Sequence, residues 1–195
     1  AVALAAQRNP QVAIAVAGAF AACGDDEAPE GGTGSIVFTT WGEEYIEEGI
    51  PASEFEDGWS AKFDRFLVLV GKVRVADETG EVGAEQPGFV LVDHVSPGVK
   101  PEVTFEGLEA KAWPNVSFQT SPPAAVSDIT VGQGATDADA LFMVNNACHA
   151  FVEGSLTKDA DTVRFSWCFG FPTLLDACEG EVSGKLTKGA VVPNG

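Results

Sequence analysis

The sequence predicts an all-β fold, mainly an antiparallel β-sandwich with one or two short helices. From Ser35 onward, short apolar runs rich in β-branched and aromatic residues are separated by clusters of Gly, Pro, Asp and Asn, which is the pattern of an all-β sandwich. Hydrophobic residues make up 45% of the chain, so burial can offset the entropy lost on folding. We therefore expect residues 35–195 to form one β-sandwich domain.

The strongest strand signal lies between Trp59 and Val75. Most apolar residues of this segment share one parity, which predicts one buried face. Between Phe66 and Val70 both parities are apolar, so the middle of the strand should be covered on both sides, as in a central strand. Further strands are predicted at Ser35–Thr40, Phe89–Asp93, Glu102–Phe105, Val116–Thr120 and Ile129–Val131.

A short helix and a hairpin are predicted in the second half of the chain. Thr136 is a good N-cap, and acidic residues follow it in the first turn of a helix that ends near Val144. The segments 150–157 and 162–169 flank a turn-rich stretch, which predicts a β-hairpin. In the second arm, one face is predicted to belong to an aromatic core, and it comprises Val163, Phe165, Trp167 and Phe169. Cys168 is predicted to lie on the opposite face.

The amino end has the layout of a secretory signal peptide. Arg8 precedes an apolar run, and Phe20-Ala21-Ala22-Cys23 resembles the lipobox of bacterial lipoproteins, in which the cysteine receives a lipid. The alternative is an ordinary signal peptide that ends near a cysteine, but the acidic, Gly-rich residues 24–34 favour a tether. We expect a signal peptide at 1–22, a lipid on Cys23, and a location in the cell envelope, periplasmic or at the outer-membrane surface.

The two ends of the sequence suggest a piece of a longer chain. It begins at Ala1 rather than Met, and residues 191–195 look like the end of a strand followed by a turn. We therefore expect a further carboxy-terminal segment, which could complete a site.

The charge balance excludes one class of partner. Lys and Arg total 11 against 29 Asp and Glu, a net charge of -18, and such a surface repels phosphate backbones. Nucleic acid is therefore not an expected partner. The same charge fits cation binding or simple solubility.

Three cysteines remain once Cys23 is assigned to a lipid. Disulfides persist in exported proteins, so a bond between Cys168 and Cys178, or between Cys148 and Cys178, is expected to tie the last segment to the hairpin. No pair of cysteines has the two-residue spacing of a zinc knuckle.

Two sets of residues are candidate metal ligands. Glu43, Glu44, Glu47 and Glu48 form pairs four residues apart, and on a helix a hard cation such as calcium would offset their repulsion. The alternative is that these acids are solvated. His94 and His149 are the only two histidines and could begin a copper or zinc site, or could be ordinary hydrogen-bonded residues.

The sequence contains no recognisable catalytic template. It lacks a Gly-x-Ser-x-Gly elbow, a His-Glu-x-x-His pair and a phosphate loop placed before a helix. The Asp-x-Asp pairs at 137/139 and 159/161 are explained by capping and turn roles. We therefore do not expect an enzyme.

The order of features from Gly34 to Glu179 resembles that of uncharacterised proteobacterial lipoproteins. The matching features are the residues 38–51, then Asp57-Gly58-Trp59, then the segments 63–68 and 151–155. More loosely, the strand 66–75, the Val92-Asp93 step and the Val152-Glu153-Gly154 hairpin are similar to the β-sandwich of copper-binding surface lipoproteins of methane-oxidising bacteria. This resemblance implies copper held by histidines and an oxidised tryptophan, with His94 or His149 corresponding by context.

Together these observations predict a non-catalytic, membrane-tethered binding lipoprotein outside the cytoplasm. Copper or calcium is the first ligand class that we expect, and an envelope protein is the expected kind of macromolecular partner. The alternative is a structural or adhesive envelope module with no small ligand.

Overall fold

The computed structural model describes residues 13–15, 32–182 and 184–192, and strands dominate it. The strands are β1 Ala13–Ala15, β2 Thr33–Thr40, β3 Ser60–Ala76, β4 Val82–Glu85, β5 Phe89–Asp93, β6 Lys100–Glu109, β7 Ala112–Trp113, β8 Asn115–Thr120, β9 Ile129–Val131, β10 Ala150–Lys158, β11 Asp161–Phe169, β12 Thr173–Leu175, β13 Glu179–Val182, β14 Lys185–Lys188 and β15 Ala190–Val191. The helices are α1 Glu44–Glu47 and α2 Asp137–Asn145, with 3-10 turns at Ala52–Glu54 and Val126–Asp128. The predicted all-β fold with few short helices is confirmed.

Two sheets and a small ribbon make up the described chain. The first sheet has the order β14-β13-β1-β2-β6, and the second has the order β11-β10-β3-β5-β9. In addition, β4 and β8 pair with β3, β12 pairs with β8, and β7 pairs with β15. The pairings of β1 with β13 and of β5 with β9 are parallel. The long β3 therefore lies at the centre of the second sheet, as its apolar middle predicts.

Both faces of β3 are buried, in two different cores. The first core lies between the sheets and joins Ile36 and Phe38 of β2 to Val70 and Val73 of β3. The second core lies between the second sheet and α2, where Leu67 packs near Met143. The second sheet is thus covered by the first sheet on one side and by a helix on the other.

One detail of the β3 prediction is wrong. Leu67 and Leu69 face the helix core, but Val73 and Val75, which have the same parity, face the core between the sheets. The alternation reverses because the pairing of β3 with β8 shifts register between Gly71 and Arg74. Lys72 lies in that shift with φ 50°, a left-handed conformation that is uncommon outside glycine.

The predicted helix and hairpin are both present. Thr136 caps α2: its hydroxyl accepts a hydrogen bond from the Asp139 N–H, and the Asp139 carboxylate accepts one from the Thr136 N–H. In the hairpin Lys158 pairs with Asp161, so the turn consists of two residues, with Asp159 at φ 52°.

The burial predicted for the second hairpin arm is wrong. β11 is an edge strand, and Val163, Trp167 and Phe169 are 51, 48 and 46% exposed. Phe165 is only partly covered. Because β11 is the end strand of the second sheet, its apolar face is left partly open to solvent instead of filling the core.

The amino-terminal predictions mostly lie outside the described residues. Cys23, the lipobox and most of the predicted signal peptide and tether belong to residues 1–12 and 16–31, and the last residues, 193–195, are also outside. β1 falls inside the predicted signal peptide and is inserted between β2 and β13. β2 begins at Thr33, two residues before Ser35. No helix among the described residues is long and apolar enough to cross a bilayer.

Candidate functional site

A buried chain of polar side chains connects the two sheets at one end of β2. The Thr40 hydroxyl donates to the Glu102 carboxylate over 2.6 Å, and His94 Nε2 lies 2.9 Å from the same hydroxyl oxygen. When Glu102 is ionised, the Thr40 hydroxyl donates to it, and His94 Nε2–H is then the donor in the hydrogen bond between His94 and Thr40. His94 Nδ1 and Glu102 Oε2 are buried without a hydrogen-bond partner.

Burial changes the pKa values of His94 and Glu102 in this polar chain. Burial, together with the charge of Lys100, lowers the pKa of His94 from 6.5 to about 4. Burial also raises the pKa of Glu102 from 4.5 to about 7, although the hydrogen bond from Thr40 and the charge of Lys100 act in the opposite direction. Both groups are therefore uncharged over part of the acidic range.

Lys100 is buried at the same end of the structure and fixes the loop between β5 and β6. Its side chain is 1% exposed, and Nζ donates to the carbonyl oxygens of Ser96 and Gly98. The Gly98 N–H in turn donates to Glu47 Oε1 over 3.1 Å. These bonds hold the loop between β5 and β6 against α1, which is a structural role.

The structure does not bring His94 and His149 together. The His94 N–H donates to the Phe66 carbonyl of β3, while the His149 carbonyl accepts from the Leu69 N–H. His94 therefore lies on the β5 side of β3, and His149 lies on the β10 side. The two residues of β3 that they contact are three positions apart in the strand. Burial lowers the pKa of His149, and its Nδ1 is buried without a partner.

The four glutamates around α1 are also not assembled into a site. Glu43 precedes the helix, Glu44 and Glu48 are exposed, and Glu47 is bonded to Gly98. Among the described residues, no group of three or more His, Cys, Asp or Glu side chains is placed to hold a metal ion. Copper or calcium binding therefore stays a prediction.

The disulfide joins Cys148 to Cys168, so both predicted pairings with Cys178 are wrong. The two Cα atoms are 5.5 Å apart. Cys148 follows α2 directly, and Cys168 lies in β11 opposite Phe151, so the bond ties the helix end to the hairpin edge. Cys178 is a free, partly buried thiol. Burial and the nearby Asp176 raise its pKa to about 11, which makes it unreactive.

The Asp-x-Asp pairs have the capping and turn roles that the sequence indicates. Asp139 is 3% exposed, closes the α2 cap and forms an ion pair with Arg65. Asp159 occupies the left-handed position of the hairpin turn, and Asp161 opens β11.

The exposed face of β11 is a candidate binding surface that the sequence pattern does not reveal. The rings of Phe165 and Trp167 stack with centroids 4.6 Å apart and planes 20° apart. Phe63 of β3 meets Phe165 edge to face at 5.9 Å. Because Phe165 rests on the sheet, Trp167 is held in place while remaining half exposed. We call Val163, Phe165, Trp167 and Phe169 the β11 strip.

The arrangement of β11 favours contact with another chain. β11 pairs with β10 through nine consecutive residue pairs without a register shift, and among the described strands its other edge has no partner. An edge strand presents a row of unpaired N–H and C=O groups, and natural proteins usually block it with Lys, Pro or a bulge. β11 contains none of these. Its one basic residue, Arg164, is paired with Asp64.

No family model, no curated protein and no solved structure matches this chain. The resemblance to proteobacterial lipoproteins and to copper-binding lipoproteins therefore stays a prediction.

Proposed function

We propose that this chain is a membrane-tethered, non-catalytic binding lipoprotein of the cell envelope, which binds an extended polypeptide segment along β11. The observation that carries the proposal is the half-exposed β11 strip on an open strand edge. A strand that adds to this edge would gain main-chain hydrogen bonds along β11. Alternate side chains of the added strand would pack on the strip.

The length and composition of β11 suit this mode of binding. Nine residues give an edge of about 30 Å at roughly 3.3 Å per residue. Tryptophan and phenylalanine supply large contact areas and are enriched at protein interfaces. Phe171, which follows β11, is 85% exposed and extends the apolar surface beyond the strand.

Charge indicates the chemistry of the partner. The chain has a net charge of -18, and the hairpin turn at one end of the strip carries Asp159 and Asp161. A second copy would bring the same negative charge to the edge and would be repelled. We therefore assign the edge to a segment with alternating apolar and basic residues.

The location follows from the amino end and from the disulfide. The lipobox-like residues 20–23 and the acidic residues 24–34 support a lipid anchor with a tether. The Cys148–Cys168 bond supports a compartment in which disulfides persist. Labelling with a radioactive fatty acid, lost in Cys23→Ala, tests the anchor separately from the binding edge.

Peptide binding tests the proposal directly. The probe is a fluorescein-labelled nine-residue peptide with alternating Val and Lys, titrated against the full chain and followed by anisotropy. We expect binding that weakens at least tenfold in the double variant Trp167→Ser/Phe169→Ser. Binding should also weaken when salt is raised from 0.05 to 0.5 M. Val82→Ser, which changes another half-exposed apolar residue on β4, is the matched control and should leave affinity unchanged.

Three results would overturn the assignment. Equal affinity of the wild type and the β11 variant would place the peptide elsewhere. A dimer that sedimentation detects in the wild type but not in the variant would assign the edge to a second copy. Absence of both peptide binding and self-association would leave the structural or adhesive module as the better description.

A further inference from the structure

A cleft of about 650 Å³ opens at the end of the second sheet opposite the His94 chain. Residues from β3, from the connection between β4 and β5, and from the loop that follows β8 line its walls. Its volume falls within the range of small-molecule sites, about 300 to 1,000 Å³. It is separate from the β11 strip, which belongs to the other edge of the sheet.

Lys72 lines this cleft from an unusual backbone position. The register shift of β3 gives Lys72 a φ of 50°, and its N–H donates to the Gly88 carbonyl over 3.1 Å. Non-glycine residues are held in this conformation only where the surrounding structure enforces it, and such positions cluster at functional sites. The strand is thus distorted at the residue that brings a cation to the cleft.

The Lys72 ammonium has no ion pair within the described chain. The salt bridges there involve Arg65, Lys111 and Arg164, although acidic residues outnumber basic ones by 29 to 11. Asp128 also lines the cleft, but its carboxylate accepts a hydrogen bond from the Ala125 N–H and closes the 3-10 turn. The lysine charge is therefore available for a ligand.

Gln86 adds a second unsatisfied group. Its backbone is fixed because its N–H donates to the Val73 carbonyl over 2.8 Å. Gln86 is one of the residues that line the cleft, and its Oε1 is buried without a hydrogen-bond partner. A buried acceptor of this kind is stabilised when a ligand supplies an O–H or N–H donor. Ser121 and Ser127 are lining residues too, and both carry hydroxyl groups.

We propose that this cleft binds a small monocarboxylate that carries hydroxyl groups, of the size of a sugar acid. Its carboxylate pairs with Lys72, the Gln86 amide rotates towards the cleft so that one ligand hydroxyl donates to Oε1, and the buried Phe89 adds an apolar wall. Asp128 disfavours a second negative group on the ligand, because like charges repel in a partly enclosed site.

Calorimetric titration of the full chain with three sugars tests this proposal. D-glucuronate has one carboxylate, D-glucose has none, and D-glucarate has two. We expect glucuronate to bind at least tenfold more tightly than either of the others. Lys72→Met, which keeps the apolar stem and removes the charge, should reduce glucuronate affinity at least tenfold. Lys62→Met, at an exposed lysine of the same strand that does not line the cleft, should not change it.

Gln86→Leu separates binding from folding. The change removes an acceptor that has no partner in the free protein, so the melting temperature should not fall, whereas glucuronate affinity should drop severalfold. No binding of any of the three sugars would overturn the site. Equal affinity for glucose and glucuronate, or full affinity in Lys72→Met, would overturn the assignment of the carboxylate.

Discussion

His94 and Glu102 are linked through the hydroxyl of Thr40, and the fold favours the neutral form of each. The pKa of His94 falls to about 4 and that of Glu102 rises to about 7. Each group therefore makes stability depend on pH, with opposite signs. The sequence gives no sign of this contact, because Thr40 is 54 residues from His94 and 62 from Glu102.

Replacing His94 by glutamine should reduce the loss of stability in acid. The lowered pKa means that neutral His94 contributes stability above pH 6.5, which is lost as the pH falls from 6.5 towards 4. Between pH 7 and 4.5 the wild type should lose about 2 to 3 kcal/mol more than His94→Gln through this group. Urea unfolding at the two pH values measures the difference, and His149→Gln, at a less buried histidine, should show a smaller one.

Replacing Glu102 by glutamine should have the opposite pH dependence. The raised pKa means that protonated Glu102 contributes stability below pH 4.5, which is lost as the pH rises through 7. Relative to wild type, Glu102→Gln should gain roughly 1 to 3 kcal/mol between pH 5 and pH 8. Thermal unfolding at both pH values measures this gain. Glu106→Gln, at an exposed position of the same strand, is the control, and an equal gain there would refute the role of burial.

At the scale of elements, the hairpin register alone does not bring the two bonded cysteines together. Lys158 pairs with Asp161, so Phe151 is opposite Cys168, and Cys148 lies three residues beyond that pair. Continuing this register would place Cys148 opposite Phe171, so counting from the predicted turn does not indicate the Cys148–Cys168 bond. The bond depends on how the segment after α2 lies against the hairpin, which local sequence patterns do not reveal.

Removing this disulfide should destabilise the domain. The bond closes a loop of 20 residues, and loss of such a constraint on the unfolded chain costs about 3 kcal/mol. Cys148→Ala/Cys168→Ala should therefore unfold at a lower urea concentration than wild type. Cys178→Ala, which removes a free thiol, should have a much smaller effect. Peptide mapping without reductant checks the pairing, and a Cys178 crosslink would contradict it.

The β11 strip shows that the alternation of apolar and polar residues does not predict which strand faces are buried. Alternation of apolar and polar residues identifies a strand with an apolar face, and β11 is such a strand. It does not reveal whether that face is covered. Coverage depends on which strand is at the edge of the sheet, and here that follows from contacts of β3 with β5, β8 and β10 that are distant in sequence.

For the whole molecule, fold class and strand positions could be predicted, but the sheet order could not. Dense apolar runs identified β3, β5 and β9 to within a residue or so. The inter-sheet core depends on β2 and β6, whose paired residues are far apart in sequence, from Thr40 opposite Lys100 to Thr33 opposite Glu109. Local patterns carry no information about such pairings.

Cleavage in front of Cys23 should change the first sheet. β1 pairs with Val37, Phe38 and Thr39 of β2 and belongs to the predicted signal peptide. A chain that begins at residue 23 should therefore exchange the amide hydrogens of these three residues faster than the full chain. The reason is that, without β1, this edge of β2 has no paired strand to protect its amides. Hydrogen exchange with mass spectrometry measures this, with the amides of β5 as the internal control. Equal exchange in the two chains would show that β1 does not protect β2.

The Thr40 linkage also affects the number of protons that the chain holds. Near pH 5.5 the unfolded chain carries a proton on His94 and none on Glu102, because their ordinary pKa values are 6.5 and 4.5. The folded chain carries that proton on Glu102 and none on His94. Folding thus relocates a proton without taking one up, and a process that exchanges no protons is independent of pH. The contribution of these two groups to stability should therefore stay nearly constant between about pH 4.5 and 6.5.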